Sequence, residues 1–281
     1  MNPASARAES DGLILFIGGG NMGRSLVGGL IARGTPAARI VAVDPSQEAR
    51  DALAADWGIG TAPDAAAVLP DAALVMLAVK PQVMKPVCES LAAAFPPQAV
   101  AVSIAAGITT TQLDAWLGGG RAVVRAMPNT PALLGAGATG LFANARVTPA
   151  QRALADTVLG AVGVGVWLDS EAHMDLVTAL SGSGPAYVFL LAEAMQAAAQ
   201  RLGLPPEAAR VLAAQTCLGA GRMLTESGED AGALRQRVTS PGGTTQAALE
   251  SFARDGFSGI VARAIEAAAH RGAELSAQAG R

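Results

Sequence analysis

Short apolar runs recur along the first half of the chain, each the length of a buried strand and each stopped by turn-forming residues. They are Leu13–Ile17 before Gly18, Ile40–Val43 before Asp44 and Pro45, 74–79 before Lys80 and Pro81, 99–104, and Ala122–Met127 before Pro128. Their apolar positions are continuous rather than alternating, the pattern of strands covered on both faces. Stretches such as 22–33 and 45–57 between them read as helices. This alternation predicts an α/β fold whose N-terminal part, over 13–170, is a doubly wound parallel sheet of the Rossmann dinucleotide-binding kind.

After Glu171 the pattern changes. Helical stretches take over at 185–202, 205–226 and 256–278, the first two opening on Pro185 and Pro205, with Gly203 where the first should stop. Proline suits a first helical turn and glycine a helix end. An all-helical C-terminal domain over 171–281 is expected, preceded at the other end of the chain by a flexible polar tail over 1–12. The helical domain is so apolar and alanine-rich that packing against a second subunit is expected too.

Composition excludes several classes. Of 281 residues 51% are hydrophobic and 15% charged, enough for a sizeable core and incompatible with disorder as the main state. Twenty Lys+Arg against 23 Asp+Glu leave a net charge of −3, without the basic footprint of a nucleic-acid binder. Aromatics, at 4%, are too few for base-stacking platforms. Cys88 and Cys217 make neither a zinc spacing nor a disulfide framework, and His173 and His270 cannot build a histidine-rich site, so no metal is expected. The polar start lacks a signal peptide's apolar core, and Gly182, Gly184 and Pro185 interrupt the longest uncharged stretch. No membrane span and a cytoplasmic location are the expectations.

Three motifs carry candidate chemistry. Gly18-Gly19-Gly20-Asn21-Met22-Gly23 fits G-x-G-x-x-G directly after a predicted strand and at the start of a predicted helix, the context that gives this weak pattern meaning. Gly18 would make the tight turn, Gly20 would let backbone approach a pyrophosphate, and Gly23 would let helix and strand pack closely. The helix N-terminus would face the pyrophosphate with free amides. Asp44, about twenty residues on, stands where a carboxylate meets the adenosine ribose. It favours NAD and repels a 2′-phosphate, with Ser46 and Arg50 the nearest donors. At the end of the third run, Ala78-Val79-Lys80-Pro81 borders the ligand crevice of such a sheet.

The second motif is Val238-Thr239-Ser240-Pro241-Gly242-Gly243-Thr244-Thr245, with Ser240 expected as N-cap and Pro241 as first helical residue. Two glycines in a first turn cost about 1 kcal/mol each relative to alanine. Close approach of a small carboxylate to bare amides would offset that, helped by the hydroxyls of Thr244 and Thr245; a tight helix crossing is the alternative. The third, Leu180-Ser181-Gly182-Ser183-Gly184-Pro185-Ala186-Tyr187, is expected to join one helix to the next, as a cleft lining or a plain turn.

Together with Arg125-Ala126-Met127-Pro128-Asn129-Thr130-Pro131, these motifs occur in an order that resembles the pyrroline-5-carboxylate reductase family over about 13–275. The resemblance implies reduction of the C=N bond of 1-pyrroline-5-carboxylate to L-proline, the last step of proline biosynthesis, with NADPH or NADH as hydride donor. It also implies subunits that interlock as a homodimer through their helical domains, and decamers built from dimers. By similarity the Gly242, Gly243 and Thr244 amides, beside Ser240, would hold the substrate carboxylate. Thr245 would hydrogen-bond the ring nitrogen as the catalytic residue, and Glu171 would lie near the substrate. Gly18, Gly20, Asn21, Met22, Gly23, Asp44, Ser46, Ala78, Val79, Lys80, Pro81 and Ala106 would line the cofactor. The family favours NADP(H), whereas Asp44 keeps NAD(H) open. Arg237, and Asp64 with Ala65, stand where relatives place cofactor-contacting asparagines. A threonine hydroxyl is a poor acid, so orientation is its expected role, with the proton arriving on an iminium or through water. The alternatives are a reductase of another cyclic imine, a β-hydroxyacid-type dehydrogenase, and a non-catalytic NAD(P) sensor. Absence of lysine from 171–281 counts against the lysine-dependent dehydrogenases.

Overall fold

The computed structural model describes residues 12–279. The expected polar tail over 1–12 lies, apart from Gly12, outside the described residues. The chain forms two compact units, the first running to Gly182 and taking in the chain again from Ala268, the second from Ser183 to Ala267.

The first unit is built on one eight-stranded sheet: β1 Leu13–Ile17, β2 Ile40–Val43, β3 Gly60–Ala62, β4 Ala72–Leu77, β5 Val100–Ser103, β6 Ala122–Met127, β7 Gly137–Ala143 and β8 Gly163–Trp167. Its order is β3-β2-β1-β4-β5-β6-β7-β8. The five apolar runs are β1, β2, β4, β5 and β6, and together with β3 they pair in parallel. The sheet is not wholly parallel, because β7 runs antiparallel to β6, with Met127 opposite Gly140, and β8 follows β7 in parallel.

Alternate residues of each strand feed opposite faces. Ile14 and Phe16 pack with Leu26, Leu30, Leu53 and Val158, from α1 (Asn21–Ala32), α2 (Gln47–Trp57) and a helix at Pro149–Gly160. Leu15 and Val123 pack on the other face with Met84 and Cys88 of α3 (Pro81–Leu91) and Leu113 of α4 (Thr110–Trp116). The Pro149–Gly160 helix is α5. Burial is what makes these runs strands with no polar face.

The segment after β8 is itself helical, including 180–182, which was expected to begin a connection between two helices. Glu171–His173 is a 3-10 turn, α6 covers Met174–Val177, and Thr178–Gly182 is a π turn. The 180–187 motif is therefore helical through most of its length. Its small residues fit close contact: a Cβ on Gly182 would lie 2.8 Å from Met127 Cε, and one on Gly140 2.6 Å from Val177 Cγ1.

The second unit is helical: α7 Gly184–Arg201, α8 Pro206–Glu226, α9 Ala231–Arg237, α10 Thr244–Arg254 and the start of α11, Phe257–Ala279. Proline in the first turns of α7 and α8 matches expectation. No strand follows Glu171 among the described residues.

Candidate active site

The strand order reverses direction between β1 and β4, and ligands of such sheets bind outside the carboxyl ends of the strands at that point. The loop 18–23 lies there. Gly18 has φ +106°, and a Cβ on it would sit 2.7 Å from the Ala78 carbonyl oxygen. A Cβ on Gly23 would sit 2.9 Å from the Gly18 carbonyl. Gly20, the N-cap of α1, has nothing within 4 Å of its Cβ position, and no side chain caps the helix. The result is a bare helix N-terminus with open space before it, which fits a pyrophosphate. Asn21 is exposed at the first helical position, whereas Met22 packs on the core beneath. Ala78 donates its amide to Ile17 O at 2.8 Å, which holds the 78–81 strand end against the loop. Lys80 is exposed and caps α3, with Pro81 opening that helix. Ala106 is exposed in the loop from β5 to α4.

Asp44 is turned inward. Its Oδ2 accepts the Gly19 amide at 2.8 Å and its Oδ1 the Ser46 amide at 2.9 Å. Arg50 donates from Nη1 to the Asp44 carbonyl at 2.6 Å and also bonds Gln47. Ser46 caps α2 by accepting the Ala49 amide at 3.3 Å. The carboxylate thus braces the glycine loop while a guanidinium stands next to it, a pairing that sequence spacing does not reveal.

In the second unit the motif before α10 departs from the expected cap. Ser240 is not an N-cap and Pro241 is not helical; α10 begins at Thr244 with Gly243 as its cap. Residues 240–243 form a β-turn closed by Gly243 N–H to Ser240 O at 3.0 Å, with Gly242 at φ +71°. Proline followed by left-handed glycine is the sequence of a type II turn, and that preference wins over capping. The Gly242 amide donates to Gln246 Oε1 at 2.7 Å. Two of the three amides expected to hold a carboxylate are therefore engaged, one of them by a side-chain oxygen. The Thr244 amide has no recorded partner among the described residues, and Thr245 follows it, half-buried, on the first turn of α10. Gln246 was not anticipated, although its place three residues after the cap is the usual one for a side chain that reaches back.

Glu171 lies in the first unit with both oxygens occupied. Oε1 accepts the Thr110 amide at 2.7 Å and stands 3.5 Å from Arg125 Nη1; Oε2 accepts the Thr110 hydroxyl at 2.8 Å. Arg125, the first residue of the 125–131 motif, is buried on β6, and its pairing with Glu171 is not legible in a run that otherwise reads as apolar. Arg237 pairs with Glu229, and Asp64 accepts the Ala66 amide at 3.0 Å. Burial, with Glu89 as a smaller influence, pushes the Cys88 thiol up to about 12, so it stays protonated and unreactive. No group of three or more metal-ligating side chains occurs among the described residues.

Residues 171–275 match a family model described as pyrroline-5-carboxylate reductase dimerisation, and 13–107 one described as NADP oxidoreductase coenzyme F420-dependent. A pyrroline-5-carboxylate reductase of Pseudomonas aeruginosa is 53% identical over 267 residues, covering 95% of this chain and 98% of the relative. The solved pyrroline-5-carboxylate reductase of Coxiella burnetii superposes with a TM-score of 0.92 at 44% identity, over 94% of this chain and 98% of its own. The Plasmodium falciparum pyrroline carboxylate reductase, solved with NADP bound, gives 0.81 at 26% identity, over 95% and 98%. Likeness of this extent, spanning both units and all three motifs, makes this chain a member of the pyrroline-5-carboxylate reductase family.

Proposed function

We propose that this chain reduces the C=N bond of 1-pyrroline-5-carboxylate to give L-proline, with a nicotinamide dinucleotide supplying the hydride. The observation that carries the reading is 53% identity to a pyrroline-5-carboxylate reductase over 95% of the chain. Residues 13–170 hold the dinucleotide, and 171–281 carry the substrate motif and the dimer contacts. At the first site, Gly18, Gly20, Asn21 and Gly23 cradle the pyrophosphate, Met22 supports them from the core, and Ala78, Val79, Lys80, Pro81 and Ala106 form the wall. NADP(H) is the favoured form, because both oxygens of the inward Asp44 carboxylate are taken by amides and Arg50 stands beside it. Ser46 lies at the same corner.

At the second site the substrate carboxylate takes the amides of Gly242, Gly243 and Thr244 beside Ser240. The carboxamide oxygen of Gln246, now on the Gly242 amide, marks one acceptor position and can rotate away. Thr245 orients the ring nitrogen through its hydroxyl. That nitrogen must end protonated, and a threonine hydroxyl has no reason to ionise near neutral pH. The proton arrives with the iminium or from water, and positioning supplies the acceleration. The working form is a dimer, with decamers assembled from dimers, in the cytoplasm.

The test is oxidation of NADPH and NADH with 1-pyrroline-5-carboxylate by wild type and Thr245→Ala. Turnover by wild type with a loss of about a hundredfold in kcat/KM for the variant is expected, the scale of removing an orienting hydrogen bond. Dinucleotide binding without turnover by wild type would overturn the reductase reading, leaving other cyclic imines and the sensor.

A further inference from the structure

Strand β6 carries a charge into the core. Arg125 is 3% exposed, and its Nε has no partner among the described residues. Nη1 faces Glu171 Oε1 at 3.5 Å and Nη2 faces Asp175 Oδ1 at 3.3 Å. Each acid reaches onward. Glu171 takes both the amide and the hydroxyl of Thr110, the first residue of α4, and Asp175 accepts the Ser276 hydroxyl of α11 at 3.1 Å. β6, the 171–175 segment, α4 and α11 are therefore linked through one guanidinium and its two carboxylates. The loop from β5 to α4 is held at two points: its exit at Thr110 by Glu171, and its bend at Gly107 by α11. Gly107 has φ +78°, and its Cβ position lies 3.4 Å from the Ser276 nitrogen.

A well-packed apolar cluster would stabilise such a core at least as well, because burying an ion pair costs desolvation. What the ions add is fixed geometry: a planar fork sets two carboxylates, and one carboxylate grips both donors of Thr110. The element so fixed ends beside the exposed Ala106 at the carboxyl end of β5. We infer that Arg125 and Glu171 are positioning residues that set the 104–109 loop for the dinucleotide, with Glu171 acting through Thr110 and not on the substrate. The inference rests on the proposed dinucleotide site.

Glu171→Gln, Thr110→Val and Arg125→Lys test it, each measured by NADPH titration against tryptophan fluorescence, by KM for both substrates and by melting temperature. NADPH binding should weaken about tenfold in each, the scale of one lost link in a coupled network. KM for 1-pyrroline-5-carboxylate should change less than about twofold. Glu171→Gln with Thr110→Val should lose little more than the worse single variant, since both cut the same link. Glu171→Gln, which keeps an acceptor for Thr110, should bind NADPH better than Glu171→Ala. A raised KM for 1-pyrroline-5-carboxylate with unchanged NADPH binding would return Glu171 to the substrate and overturn the inference. So would unchanged NADPH binding in all variants, or losses that merely follow melting temperature. The titration needs no turnover, so a wild type that binds NADPH but reduces nothing would sink the reductase reading alone.

Discussion

At Asp44 the meaning of a carboxylate is set by what it touches. Facing outward, it would bind ribose hydroxyls and repel a 2′-phosphate; here the Gly19 and Ser46 amides hold its two oxygens. Arg50 lies on the Asp44 carbonyl, and a guanidinium released from that bond and from Gln47 can meet a phosphate in bidentate fashion. Arg50→Ala should therefore raise KM for NADPH by about tenfold or more while leaving that for NADH within about twofold, since hydrogen bonds to charged groups contribute about 1.5–3 kcal/mol. Initial rates with each cofactor decide it, and an equal rise in both constants would place Arg50 outside phosphate recognition. Sequence alone shows Asp44 and Arg50 at plausible positions but not the turn of one carboxylate. Arg125 is hidden in the same way, because a single charge in an apolar run declares its partners only once Glu171 and Asp175 have folded beside it.

Some helix starts are written in local sequence, as prolines at the first turns of α7 and α8 show. Thr148 and Gln151 form a reciprocal capping box at α5, with the Gln151 amide on the Thr148 hydroxyl at 3.2 Å and the Thr148 amide on Gln151 Oε1 at 2.9 Å. Thr148→Ala should cost about 1 kcal/mol, read from urea denaturation midpoints, and Thr148→Ser should recover most of it. Strands divide into two kinds. Five of the parallel strands, β1, β2, β4, β5 and β6, are continuous apolar runs and were legible. The missed ones are Gly60–Ala62, Gly137–Ala143 and Gly163–Trp167, all broken by glycine, and two of them are the edges of the sheet. Glycine is there for contact: a Cβ on Gly137 would meet the Val162 carbonyl at 2.9 Å, and one on Gly163 would overlap Gly137 outright. Periodicity records burial, so strands made by backbone proximity escape it. The 240–243 motif was legible as backbone kept bare, but a turn and a first helical turn use the same residues, and the choice needed coordinates.

On the scale of the whole molecule, the second unit has almost no core of its own. Among its described residues only Ala209, Ala213 and Leu234 are buried hydrophobics, while Phe189 is 67% and Leu190 65% exposed. Isolated apolar helices of this kind need a partner, and the match of 171–275 to a dimerisation family supplies its kind: a second copy of the chain. Sedimentation should show dimers or multiples of them with no monomer at micromolar concentration, and the melting temperature should rise with protein concentration. A compact monomer with a concentration-independent transition would contradict this. The end of α11 has a different consequence. From Ala268 the chain belongs to the first unit, where Ser276 meets Asp175 and Gly272 packs on the same residue. A ribosome thus delivers the piece that seats Gly107 only after every strand of the sheet. The sheet can assemble while translation continues, yet the loop bent at Gly107 waits for the residues from Ala268 onward. A chain cut before Ala268 would then fold most of its sheet with that loop unbraced.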